Sequence, residues 1–278
     1  MLYLKSLIHF VISMTEIAEK VNCTNCGAPL KLEAGEVIVT CAYCGAALNM
    51  AVGKKYFLRH SIIPNKYTQE QISAMARQWM GAGFLKPEDL ARKASIREMS
   101  LIFLPFFVVH VSAQSIYEGM LTRTGQNIPK KGDFIREYHW KILGRRASTF
   151  PTKEYEIPLS GKVEFDLAHV SKNAKFLNSE MDEREAHSLV KQEIDEHHKF
   201  LLSSEMDILQ SINTNLNIKN TEFVHAPVWF LKYEYNGKLY ELLFDGSSGD
   251  TIKGDIPAPD DTSTKGFFGK VTRGFFGR

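Results

Sequence analysis

The residues of this chain best suited to chemistry are its cysteines, Cys23, Cys26, Cys41 and Cys44, the only four it has. They fall as two Cys-x-x-Cys pairs about fourteen residues apart, the spacing with which a four-cysteine ribbon holds one Zn2+. Two residues between thiolates let both sulfurs reach one ion from a single tight turn. Gly27 and Gly45 follow directly, where positive φ is wanted and a Cβ would crowd the sulfur. Four thiolates fill a tetrahedron and leave no position for water, so the expected role is structural rather than catalytic. Two disulfides are the alternative, but the knuckle glycines and paired spacing suit a metal better. Metal-bound thiols imply a reducing, cytoplasmic compartment.

The elements that must position these sulfurs come next. Between the pairs, Pro29 to Thr40 alternates in character and reads as a β-hairpin turning at Ala34-Gly35. A piece of roughly thirty residues cannot bury a core of its own. Metal binding would supply on the order of 10 kcal/mol toward folding it.

Length and composition bound the rest. The 278 residues suffice for a ribbon plus one or two globular units, with 44% apolar and 24% charged residues, ordinary for a folded chain. A formal net charge of +2 is too small to predict nucleic-acid binding from the overall field. No apolar run reaches the roughly eighteen residues a membrane span requires. Residues 1–19 read as an apolar extension, with Met14 as the expected natural start.

Along the body, Tyr56 to Ile63 reads as a strand. Thr68 to Gln71 forms a capping box opening a helix with Ile72, Met75, Trp79 and Met80 on one face. Pro87 to Leu90 starts a second short helix. Ser100 to Tyr117 is a long apolar strand, and Phe134 to Leu143 alternates as its antiparallel partner. Tyr155 to Ile157 and Val163 to Phe165 are weaker strands. Ser179 to Leu201 is the longest helix, capped by Ser179 or Asp182. Met206 to Ile218 reads as a strand, although its first residues also suit a helix. Phe223 to Phe244 is a hairpin turning at Asn236-Gly237, and Thr251-Ile252 a last strand.

An internal echo links Leu104-Pro105-Phe-Phe, running on to Tyr117-Glu118, with Ala226-Pro227-Val-Trp229, running on to Tyr240-Glu241. It suggests two related halves, each a helix followed by antiparallel strands. The expected fold is therefore α+β: residues 20–50 as a zinc ribbon, 56–160 and 161–256 as the two halves, and 257–278 as a linker and tail.

Other constellations are weaker. His187, Glu193, His197 and His198 share the long helix without a His-Glu-x-x-His motif, so a solvated face is expected. His110 and Trp229 are expected in the core. Asp245, Asp250 and Asp255 flank glycines and suit turns better than calcium. No catalytic motif is present, and neither an enzyme nor a small-molecule substrate is expected.

The tail repeats Gly-Phe-Phe-Gly between cations: Lys265, Phe267, Phe268, Lys270, Arg273, Phe275, Phe276 and Arg278. Phenylalanines among cations suit an anionic membrane surface. They also suit a partner protein's groove, single-stranded nucleic acid, or a tail with no binding role.

With the ribbon, the Lys86-Pro87-Glu-Asp-Leu90 segment, the two Pro-aromatic strands and Tyr240 to Gly249 together, the chain resembles a prokaryotic family of TFIIB-type zinc-ribbon proteins of unknown function. Leu243-Phe-Asp-Gly-Ser-Ser-Gly249 also resembles the strand-turn-strand ending of PepSY-like domains. Some family members carry membrane segments and are linked to envelope maintenance; this chain lacks such a segment. The expectation is a non-enzymatic, cytoplasmic adaptor with one structural zinc, whose tail docks on a membrane surface or partner protein. Nucleic-acid binding through the ribbon is the alternative.

Overall fold

The computed structural model describes residues 21–33, 35–50, 57–58, 60–122, 125–146, 150–153 and 155–258. Residues 1–19, Ala34 and the 265–278 tail, with the expectations placed on them, lie outside these. The fold is mixed α+β. Its strands are β1 Val21–Asn22, β2 Pro29–Leu30, β3 Ile38–Thr40, β4 Ala47–Asn49, β5 Phe57–Leu58, β6 His60–Ile62, β7 Ser95–Leu121, β8 Ile128–Leu143, β9 Val163–Glu164, β10 Lys175–Phe176, β11 Ile208–Tyr235, β12 Lys238–Asp245 and β13 Thr251–Gly254. Its helices are α1 Gln69–Gly81, α2 Leu90–Lys93 and α3 Glu183–Glu205. No described helix is long and apolar enough to cross a membrane.

The chain divides into two compact units that alternate along the sequence. One comprises the residues up to Pro64 with 103–172 and 176–226, and the other 65–102, 173–175 and the residues from Pro227 on. Neither coincides with residues 56–160 or 161–256.

In the first unit, β7 and β8 form the expected antiparallel ladder, from Phe106 opposite Leu143 to Leu121 opposite Ile128. β6 runs parallel to β11, with His60 opposite Phe223. Period-two alternation on β7 sends Phe107, Val109, Val111 and Ala113 to one face. α3 covers that face with Ala186, Val190 and Ile194, the stripe expected from its sequence. Asp182 caps α3 by accepting from the Glu185 amide at 2.9 Å, so the helix starts four residues later than Ser179 and runs on to Glu205. Ser179 instead bonds backbone: its hydroxyl lies 3.0 and 2.9 Å from the Gly144 and Met181 carbonyls, which share its one proton.

In the second unit, α1 opens with the expected capping box: Thr68 accepts from Gln71 N–H, and the Gln71 side chain accepts from Thr68 N–H. Ile72, Ala76 and Met80 are its buried stripe. β11 and β12 form the expected hairpin, from Val228 opposite Asp245 to Tyr235 opposite Lys238. Asn236 and Gly237 take φ of 47° and 74°, the two left-handed positions of a type I′ turn. The Asp245 carboxylate accepts from Ser247 and Ser248 N–H at 2.6 and 2.7 Å, a turn rather than a cation site.

Three backbone hydrogen bonds recur at matched offsets. Gly144 N–H donates to Pro105 O, and Gly246 N–H to Pro227 O, both at 2.8 Å. Glu180 N–H donates to Gly144 O, and Lys66 N–H to Gly246 O, both at 2.7 Å. Leu177 N–H donates to Phe103 O at 3.1 Å, and Ile63 N–H to His225 O at 2.9 Å. Counted back from the helix caps Asp182 and Thr68 and from the two prolines the residues correspond, and the two glycines correspond by register, each following the residue opposite the one after its proline, Leu143 opposite Phe106 and Asp245 opposite Val228.

Three expectations are corrected. Among the described residues of 29–40 no strand ladder joins the two ends: β2 is used on β1 and β3 on β4, each closing its own knuckle. Tyr155 to Ile157 is irregular chain whose Tyr155 and Ile157 are buried, so apolarity there reports burial rather than a strand. The strand from residue 208 does not stop at Ile218 but continues unbroken to Tyr235.

Candidate metal centre

Each cysteine pair sits in a knuckle closed by its own short ladder. In the first, β1 pairs with β2, Cys23 N–H donates to Ala28 O at 2.7 Å, and Gly27 N–H to Cys23 O at 2.7 Å. In the second, β3 pairs with β4, Cys41 N–H donates to Ala46 O at 2.9 Å, and Gly45 N–H to Cys41 O at 2.9 Å. Gly27 and Gly45 take φ of 77° and 72°, a region that a side chain makes strained. Gly45 carries a second constraint, since a Cβ there would lie 2.7 Å from the Phe165 ring.

The two knuckles bring all four sulfurs within 4.8 Å of one another, the one such group of possible metal ligands among the described residues. Cys23 Sγ lies 3.7 Å from Cys44 Sγ, and Cys26 Sγ 3.7 Å from Cys41 Sγ. A disulfide would require about 2.05 Å. Sulfurs at the corners of a tetrahedron with Zn–S near 2.3 Å stand about 3.8 Å apart. The four cysteines are unbridged and fit a tetrahedral thiophilic ion. Cys23 and Cys41 are buried, and Cys26 and Cys44 face solvent.

The sulfurs also receive donors. Asn25 Nδ2 points to Cys44 Sγ at 3.5 Å and Tyr43 N–H to Cys41 Sγ at 3.4 Å. Against the upward push of burial, hydrogen bonds from Asn25 and from the Ala46 amide bring the Cys44 thiol down to about 6. Such donors stabilise thiolate, the form a metal requires.

The ribbon is built into the first unit. Its own small core is Cys23, Leu30, Cys41 and Leu48. Ile38 and Ala47, however, belong to the larger cluster with Phe107, Ile142, Met181 and Phe223. Ile38 and Ser179 exchange backbone hydrogen bonds at 3.1 Å each way, and Val37 N–H donates to Ser179 O at 2.6 Å. Asn178 joins the same seam, accepting from Thr40 N–H at 3.0 Å and donating to Glu36 at 3.1 Å.

The α3 residues are not the solvated face the sequence suggests. His198 is fully buried: Nδ1 lies 2.6 Å from Ser115 Oγ, which is 2.7 Å from Thr214 Oγ1, and Nε2 lies 2.9 Å from Tyr138 OH. Burial lowers its pKa to about 4. Glu193 accepts from the Trp140 indole at 2.6 Å, and His187 meets Thr221 Oγ1 at 2.7 Å. The missed signal was spacing: His198 continues the i+4 row Ala186, Val190, Ile194, Leu202. His110 is only half-buried, stacked on His139 with centroids 4.4 Å apart. Trp229 is buried as expected and donates to Asn65 Oδ1 at 3.0 Å.

No family model, curated protein or solved structure matches the chain. The comparisons thus identify no zinc-ribbon family for it, and the functional reading stands on its own residues.

Proposed function

We propose that Cys23, Cys26, Cys41 and Cys44 hold one structural Zn2+ and that the protein is a non-enzymatic interaction module. The observation that carries this is the pair of 3.7 Å sulfur separations, too long for a disulfide and close to a zinc tetrathiolate edge. A bound ion would supply cross-linking, tying two knuckles that share little apolar core. Four thiolates leave it no open position for a substrate or water. Seating Ile38 and Ala47 in the larger core makes the ion a fastener of the first unit.

The interaction role rests on the tail. Lys265, Lys270, Arg273 and Arg278 alternate with Phe267, Phe268, Phe275 and Phe276, without an acid. Such a segment docks on an anionic membrane surface or partner protein, from the cytoplasmic side. Co-sedimentation with vesicles of phosphatidylserine and phosphatidylcholine, comparing the full chain with one ending at Pro257, tests the membrane form. Loss of pelleting on truncation supports it, and equal pelleting removes the tail from the account. A second reading, nucleic-acid binding by the ribbon, is favoured by Tyr43, 71% exposed at the second knuckle. A gel shift that weakens in the Tyr43→Ala chain would support it; no shift at low salt would dismiss it.

The recurring hydrogen bonds support two similar halves with an exchange between them. The segment leading into α1 docks on the hairpin of the second half, at Pro227 and Gly246. The segment leading into α3 docks on that of the first, at Pro105 and Gly144.

A further inference from the structure

The connection from α1 to α2 is a turn with an apolar tip. Lys86 N–H donates to Gly83 O at 3.4 Å, which leaves Phe84 and Leu85 at the two central positions. Turns mostly fill such positions with Gly, Pro, Asn, Asp or Ser, which preset or satisfy the backbone. Here Phe84 is 94% exposed, the highest value of any large apolar residue among the described ones, and Leu85 is 53% exposed. A scattered exposed apolar side chain is ordinary. Two adjacent ones at the tip of a turn form a patch that water disfavours.

The turn is braced at its base. Gly83 takes φ of 98°, a left-handed value that a side chain makes strained. The Lys86 ammonium sits 3.6 Å from the Trp79 ring centroid and donates to Trp79 O. Arg77 of α1 donates to Ala91 O at 2.9 Å and Ala94 O at 2.6 Å, at the end of α2. Asp89 accepts from Tyr235 OH at 2.6 Å and pairs with Lys93. The backbone thus presents Phe84 and Leu85 to solvent from a fixed support.

Charge and sequence point to what the tip meets. Residues 77–93 carry the cations Arg77, Lys86, Arg92 and Lys93 against Glu88 and Asp89, and Asp89 is already paired. The order Gly83-Phe84-Leu85-Lys86 recurs in the tail as Gly266-Phe267-Phe268-Gly269-Lys270 and Gly274-Phe275-Phe276-Gly277-Arg278. Each places two large apolar residues after a glycine, with a cation one or two positions beyond. The turn and the chain leading to the tail belong to the same compact unit.

We propose that the Phe84-Leu85 turn is a second membrane-inserting element, entering the headgroup boundary of an anionic bilayer, and it rests on the membrane form of the tail reading for its target. The two apolar side chains leave water for the interface, while Arg92 and Lys93 stay among the lipid headgroups. One short apolar contact gives only weak, reversible binding, so stable docking takes two. Engagement of either element holds the other at high effective concentration over the same surface.

The test is vesicle co-sedimentation of the full chain and of the chain ending at Pro257, each with and without Phe84→Ser and Leu85→Ser together. Vesicles of phosphatidylserine with phosphatidylcholine are compared with phosphatidylcholine alone. Urea unfolding of the doubly substituted chain should overlay that of the unaltered one, since both side chains face solvent. The double substitution is expected to weaken full-chain binding to the anionic vesicles by about tenfold or more. It should also abolish what binding the truncated chain retains. In a Phe84→Trp chain, brominated lipid should quench emission beyond the level of the unaltered chain. Unchanged binding after the double substitution, or no added quenching, would overturn the proposal; the tail reading survives that result if truncation still releases the chain. Equal pelleting of full and truncated chains, lost from both on the double substitution, would keep the turn and remove the tail. Equal binding to phosphatidylcholine alone would overturn the anionic target. No pelleting by any chain, the result for a turn that seats in a partner protein's groove, would overturn both readings.

Discussion

The two proline–glycine hairpin ends share a backbone and differ in what they hold. At Pro105 and Gly144 the incoming segment carries Ser179; at Pro227 and Gly246 it carries Asn65. Both side chains reach the carbonyl just before the helix cap, Ser179 to Met181 O at 2.9 Å and Asn65 to Tyr67 O at 2.8 Å. Beyond that they part. The Ser179 backbone pairs with Ile38 and so receives the ribbon. Asn65 accepts from the Trp229 indole, and Lys66 and Tyr67 fasten to Gly246 and Ser248. One scaffold thus yields an end that receives the cysteine ribbon and an end closed by its own side chains. The first should be the one whose stability depends on a metal.

The largest effect should come from breaking the cluster. Cys41→Ser removes a ligand from a site expected to contribute on the order of 10 kcal/mol. Hydrogen exchange should then show amides of β7 near Phe107 and of α3 losing protection, while those between Tyr233 and Leu243 keep theirs. Uniform loss would break the comparison. Next, Ile38→Ala should cost about 2–5 kcal/mol in urea unfolding, because Ile38 has no exposed surface and joins the larger cluster.

Acid should act in the same unit. The fold holds His198 neutral down to about pH 4. The unfolded chain therefore binds more protons between pH 4 and 6.5, and stability is lost as pH falls through that window, by at most about 3 kcal/mol for this ring. Unfolding curves of His198→Gln against the unaltered chain should differ in slope by close to one proton there.

The knuckle glycines sharpen the contrast further. Gly27→Ala meets nothing within 4 Å and should cost only the left-handed penalty, about 1–2 kcal/mol. Gly45→Ala adds the Phe165 clash and should cost visibly more. The smallest effects belong to the caps: Asp182→Ala and Thr68→Ala should each cost about 1 kcal/mol, read from thermal unfolding.

What the sequence made legible was local. Cysteine spacing specified the cluster, Asn236-Gly237 its hairpin turn, and Thr68 with Gln71 a capping box, because each is set by neighbours in the chain. What it hid was which partner each segment takes. Pro29-Leu30 alternates like a hairpin strand, but its partner is Val21-Asn22 rather than residues 38–40. His198 carries a polar side chain, yet Ser115 and Tyr138 arrive from distant strands to satisfy it, with Thr214 in turn bonded to Ser115. Nor could spacing show that Ile38 lies in the larger core.

The most direct test of the central claim is X-ray absorption at the zinc edge on protein purified under reducing conditions, with metal quantified per chain. The account predicts one zinc per chain with four sulfur neighbours near 2.3 Å. Folded protein carrying no metal, or zinc bound by nitrogen and oxygen in place of sulfur, would contradict it.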